Sequence, residues 1–142
     1  MCAKNKSAVV DENRQTSLDG VFVSGNVLHI HDLADNATEE GKIAGLGASL
    51  FAKGELKSNK KIDITFSSQI SYTIPQKVNL NKTGKFKIFL RVKENISRKN
   101  LVVKCADEKI ASKFCVVLNP GEMQEIEVDL EKVKSDLFIN IE

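Results

Sequence analysis

Apolar positions repeat with two different periods along this chain, and the change falls near Glu55. Beyond it the period is two. Ile62, Ile64 and Phe66 alternate with polar residues, and so do Phe86, Ile88, Leu90 and Val92, then Ile126, Val128 and Leu130, then Leu137, Ile139 and Ile141. This is the pattern of strands with one face buried. With Ile70 to Val78, Leu101 to Cys105 and Lys109 to Val117, about seven strands are expected. Turn signals such as Lys82-Thr83-Gly84 and Asn119-Pro120-Gly121 separate them. That count and spacing predict an antiparallel β-sandwich of immunoglobulin-like or fibronectin-like style. Pro75 inside the second run points to an edge position or a bulge.

Ahead of Glu55 the pattern predicts short strands and one helix. Val21 to Ser24 and Val27 to Ile30 are β-favouring runs after a turn-rich Thr16 to Gly20, and Asp35 to Lys53 carries a helical pattern. Asp35 or Asn36 is the expected N-cap, Glu39 and Glu40 complement the dipole of the first turns, and Lys53-Gly54 provides the stop. Ile43, Leu46, Leu50 and Phe51 are expected to share one face, while Gly41, Ala44, Gly45 and Ala48 permit close backbone approach. The expected class is α+β. Residues 1–55 form a strand-loop-helix segment and residues 56–142 the β-domain.

Charge and cysteine usage remove several function classes. Residues 1–55 carry 5 basic and 8 acidic groups and residues 56–142 carry 16 and 11, so the halves are −3 and +5. The second half's basic groups, Lys85, Lys87, Arg91 and Lys93 among them, alternate with apolar residues, which is the signature of a solvated strand face; the acids from Glu122 to Glu131 read the same way. No basic cluster is interleaved with stacking aromatics, and nucleic acid is not an expected partner. No run of about 18 apolar residues or hydrophobic leader occurs, so neither a membrane span nor a secretory signal is expected, and the default compartment is the cytoplasm. Cys2, Cys105 and Cys115 are odd in number and fit no metal or redox spacing; Cys105 and Cys115 are expected to be buried, reduced thiols. Ser67, Ser68 and Ser71 have no histidine near them in sequence, which leaves hydrolase chemistry without a base. A carbohydrate platform is disfavoured by the lack of tryptophan and the single tyrosine, Tyr72.

The stretch that carries chemistry runs from Thr16 through Ser17, Gly20-Val21-Phe22 and Gly25-Asn26 to His29-Ile30-His31-Asp32 and Asp35. It resembles the second flavin motif of the pyridine nucleotide-disulfide oxidoreductase and thioredoxin-reductase-like flavoproteins, in which T-S-x-x-G-V-[FY]-A-x-G-D ends the FAD domain and a helix follows under the flavin. Asn26 stands where the group has an aspartate that bonds the ribityl chain; it keeps an oxygen acceptor but loses a charge. The G-N-V-L-H-x-H-D-L form, with Tyr72-Thr-Ile-Pro-Gln76 downstream, is most similar to bacterial NAD(P)/FAD-dependent oxidoreductases that accompany anaerobic glycerol-3-phosphate dehydrogenase. Ala8 to Asn13 looks like the strand and turn that precede the motif in that group.

The resemblance implies that residues 1–55 are the C-terminal remnant of an FAD-binding domain. Gly25, Asn26, His31, Asp32, Ala37 and Thr38 would contribute to FAD binding. A helix start at Asn36 to Glu39 suits the electron-rich edge of reduced flavin. The G-x-G-x-x-G that this chemistry needs after a strand is missing: Gly45-Leu-Gly-Ala-Ser-Leu50 lacks the third glycine and lies within the helix. The expectation is therefore part of an NAD(P)H-linked oxidoreductase that is inactive alone, with no identifiable catalytic residue. Its partners would be upstream FAD and NAD domains or an oxidoreductase subunit, and homo-oligomerisation stays open. The alternative is a β-sandwich interaction module that docks a partner subunit. His29 and His31 on one strand face, with Asp32 or Asp35, could begin a metal site. With no third histidine to complete a common triad, no metal is expected, and the two rings either face the cofactor or orient the loop.

Overall fold

The computed structural model describes residues 6–56 and 60–142 and separates into two compact units, Met1–Ser58 and Asn59–Glu142. Cys2 lies outside the described residues.

The second unit contains eight strands: β1 (Lys61–Phe66), β2 (Ile70–Ile74), β3 (Lys77–Asn79), β4 (Lys85–Val92), β5 (Ile96–Cys105), β6 (Glu108–Leu118), β7 (Gln124–Asp129) and β8 (Leu137–Ile141). They form a five-stranded sheet in the order β3-β1-β8-β5-β6 and a three-stranded sheet in the order β2-β4-β7. Both sheets contribute to a single core. Ile62, Ile64, Leu101, Val103 and Ile139 enter it from the larger sheet, and Phe86, Ile88, Leu90, Ile126 and Val128 from the smaller. The period-two positions are the buried ones, as in β1, where Ile62 and Ile64 are buried and Asp63 and Thr65 exposed. Each large aliphatic side chain so buried stabilises the fold by roughly 1.5–3 kcal/mol.

Two features differ from the sequence expectation. The run from Ile70 to Val78 is two strands, because the chain leaves the smaller sheet at Ile74-Pro75 and joins the larger one at Lys77. Both β2 and β3 are edge strands, where proline's missing N–H costs no ladder bond. The larger sheet is also not wholly antiparallel, since β1 and β8 run parallel with Ile64 opposite Leu137 and Phe66 opposite Ile139. The solvated face behaves as its alternation predicts: Lys85 and Lys87 reach Glu127 and Glu125 on β7 at 3.2 and 3.4 Å. Cys105 and Cys115 are buried free thiols.

The first unit holds a 3-10 turn at Gly25–Val27 and one helix, α1 (Ala34–Ala52). Its β content is smaller than the residue types suggest. Arg14 to Thr16 and Val21 to Val23 pair through two backbone bonds, Thr16 N–H to Val21 C=O (2.8 Å) and Val23 N–H to Arg14 C=O (3.0 Å), with an isolated bridge between Gln15 and Phe22. Ala8 to Val10 and Val27 to Ile30 are not strands. The α1 N-cap is Leu33, without a side-chain cap bond, rather than Asp35 or Asn36. The buried face of α1 is Glu40, Ala44 and Gly47. Leu46 is exposed and Phe51 stacks edge-on to Phe22 with centroids 6.3 Å apart. Gly47 is fixed by close approach: a Cβ there would lie 2.8 Å from the Asn13 carbonyl oxygen and from the Phe22 ring.

Candidate functional site: a carboxylate hub behind the Gly25 turn

Glu40 is fully buried, and its carboxylate collects four donors. Oε1 lies 3.1 Å from Arg14 Nε and 3.1 Å from His29 Nε2. Oε2 lies 2.8 Å from His31 Nε2 and accepts the Gly25 backbone N–H at 3.0 Å. Four bonds fill the lone-pair capacity of one carboxylate. Burial by itself would raise the Glu40 pKa, but the His29 and His31 hydrogen bonds and the Arg14 charge hold it at about 2, so the group is ionised across the ordinary pH range. Burial pulls the Arg14 guanidinium below its usual value, and the nearby Glu40 charge opposes that pull.

The local sequence explains how these groups meet. Asp11 Oδ1 accepts the N–H groups of Asn13 (2.9 Å) and Gln15 (3.1 Å), closing a turn in which Arg14 takes a left-handed φ of 66°. That turn aims the Arg14 side chain inward, where its Nη1 also bonds the Glu12 carbonyl at 3.4 Å. His29 and His31 lie in the loop between the 3-10 turn and α1, not on a strand. The chain still alternates there. Both imidazole side chains are buried, at 1% and 2% exposure, while Ile30 between them is 70% exposed. The two rings meet edge to face with centroids 4.4 Å apart.

The six residues expected to touch flavin fall into two groups. Gly25 and His31 converge on Glu40, and the Asn26 side-chain oxygen faces the His31 amide at 3.4 Å. Asp32 is exposed ahead of the helix, Ala37 is half-buried in its first turns, and Thr38 is exposed with its hydroxyl donating to the Ala34 carbonyl at 3.0 Å. Gly25 has φ of 69°, a conformation that favours glycine, and the space where a Cβ would project is open.

Two residues of the hub, Arg14 and Glu40, escape sequence reasoning, which assigned Glu40 to the helix dipole and offered Asp32 or Asp35 as carboxylates. The available signal was positional. Glu40, Ala44 and Gly47 are spaced i, i+4, i+7, so the acid shares the small-residue face that a neighbouring backbone covers. No family model matches the chain, and no curated protein or solved structure does either.

Proposed function

We propose that this chain is the C-terminal portion of an FAD-dependent, NAD(P)H-linked oxidoreductase, supplying part of a flavin site and a β-domain. The observation that carries the reading is the state of the Gly25 turn. Glu40 pins its backbone from behind, while its outward side, Asn26 and Val27, is exposed and unobstructed at Gly25. A glycine turn with this open side lets a large planar cofactor approach backbone directly. The uncapped start of α1 beyond Leu33 adds a partial positive charge on the same loop. FAD would supply the electron-transfer chemistry when bound; this chain's own residues position and contact it. Pyrophosphate binding and the NAD(P)H site belong to upstream domains or a partner subunit, since no G-x-G-x-x-G is present.

Exposed apolar residues support this division. Val27, Ile30 and Leu33 are 80%, 70% and 64% exposed, a density suited to a surface that another domain covers. A second reading, an interaction module, rests on the edge strand β6, where Phe114 and Val116 are exposed on one face. The two readings separate in one experiment. FAD is titrated into the purified chain, into separately expressed upstream FAD and NAD(P)H domains, and into their mixture, and bound flavin is followed by fluorescence. The expected result is stoichiometric FAD in the mixture only, weakened at least tenfold by Asn26→Ala. A mixture that binds flavin no better than the upstream domains alone would overturn the flavin reading. Tight binding by this chain alone would overturn the division of the site.

A further inference from the structure

We infer that His29, His31 and Glu40 form a binding site for one divalent transition metal of the zinc class, independently of any flavin. Two imidazole nitrogens and a carboxylate are the donor set of zinc, cobalt and ferrous sites, and an imidazole pair excludes calcium and magnesium as preferred occupants. The fold brings the three donors together. One ligand atom from each residue lies within 4.8 Å of the others, and the two Nε2 atoms stand 3.1 and 2.8 Å from the carboxylate oxygens. Ligands held about 2.0–2.1 Å from a tetrahedral metal are roughly 3.3 Å apart, and each imidazole nitrogen stands within a few tenths of an ångström of that spacing from the carboxylate oxygen it meets.

The shell behind the ligands is already built. Arg14 Nε donates to Oε1 and the Gly25 N–H to Oε2, which orients the carboxylate as outer-shell partners do in metalloproteins. Metal entry is balanced in protons when both rings are neutral. Each imidazole turns the Nε2 lone pair to the ion and carries its proton on Nδ1, exchanging a bond to Glu40 for a bond to metal. Three protein ligands leave a fourth coordination position for a water. The Arg14 charge opposes a dication, so the affinity is expected to be below that of a site without a buried cation.

The chain contains two histidines, so ring 15N resonances report on this site alone. Zn2+ is titrated into chelator-treated wild-type protein, and Co2+ binding is followed by its visible absorption. Saturable movement of both Nε2 signals at one Zn2+ per chain, with Co2+ bands that Zn2+ displaces, is the expected result. His31→Gln should lower Co2+ affinity at least tenfold. Absence of saturable Nε2 movement in the wild-type protein overturns the proposal whether or not the variant folds, and so do Co2+ bands that survive His31→Gln in a folded variant.

Discussion

The two units of this molecule bury opposite kinds of side chain. Among the described residues, the first unit buries three apolar residues, Val10, Leu28 and Ala44, against eight polar or charged ones; the second buries 25 apolar residues against two polar ones, Thr73 and Asn79. Exposure runs the other way, with seven large apolar side chains exposed in the first unit and four in the second. An apolar core is tolerant, since any side chain of suitable size maintains it. A charged hub is not, because removing one member leaves its partners buried without compensation. The first unit is therefore held in one arrangement by a few bonds around Glu40, and the second by many interchangeable contacts.

Glu40→Gln should have the largest effect. The amide presents donors to Arg14 Nε and the imidazoles where a carboxylate accepted them, and it removes the main counter-charge of the buried Arg14 guanidinium. A loss of about 3–5 kcal/mol is expected in the first unit. Hydrogen exchange would show α1 and the Gly25 amide losing protection while β4, β5 and β8 keep theirs. Ile139→Ala is the converse, costing about 2–5 kcal/mol in the second unit through its cavity. If Glu40→Gln leaves α1 exchange unchanged, the hub does not hold the unit together.

Acid offers a milder way to break the same hub in metal-free protein. Folding lowers the Glu40 pKa from 4.5 to about 2. A carboxyl group with a depressed folded pKa gives its full stabilisation above the unfolded value and loses it as pH falls through the folded one. The window is therefore pH 4.5 down to about 2. A gap of that size corresponds to roughly 3 kcal/mol at about 1.4 kcal/mol per pKa unit. Unfolding followed by α1 amides should show this loss below pH 4.5, and the strands should show much less. Equal acid sensitivity in both units would remove Glu40 as the cause.

The same contrast explains what could be read from the sequence. In the second unit, one periodic signal sets both strand position and buried face, so Ile62, Phe86, Ile126 and Leu137 were legible as strand and core. The exceptions are places where that signal is silent. β5 begins at Ile96, five residues before the expected Leu101, because Ser97 to Asn100 are polar and lie outside the core. The parallel pairing of β1 with β8 joins residues about seventy positions apart, which no local pattern records. In the first unit the fold depends on particular bonds, and residue type was a poor guide. Val27 to Ile30 carries strand-favouring residues but is not a strand; the Ser24-Gly25 backbone turns into a 3-10 segment, and Gly25 donates to a carboxylate 15 residues away. The alternation of His29, Ile30 and His31 still placed the two rings together. What faced them was set by Glu40 and Arg14, contributed by separate segments.

The smallest expected effect tests whether the exposed apolar loop contributes to the first unit at all. Ile30 projects outward between two buried histidines and is 70% exposed. Ile30→Ser removes apolar surface that is already in water, so stability should change by less than about 0.5 kcal/mol, and the Gly25 amide should keep its protection. Its consequence should fall on association: if another domain covers this face, Ile30→Ser weakens the complex with the upstream domains by a measurable factor while the isolated chain becomes more soluble. A destabilisation above 1 kcal/mol in the isolated chain would place Ile30 in the unit's own packing, and the comparison between an outward apolar face and an inward charged hub would then fail at the position where the two are closest in sequence.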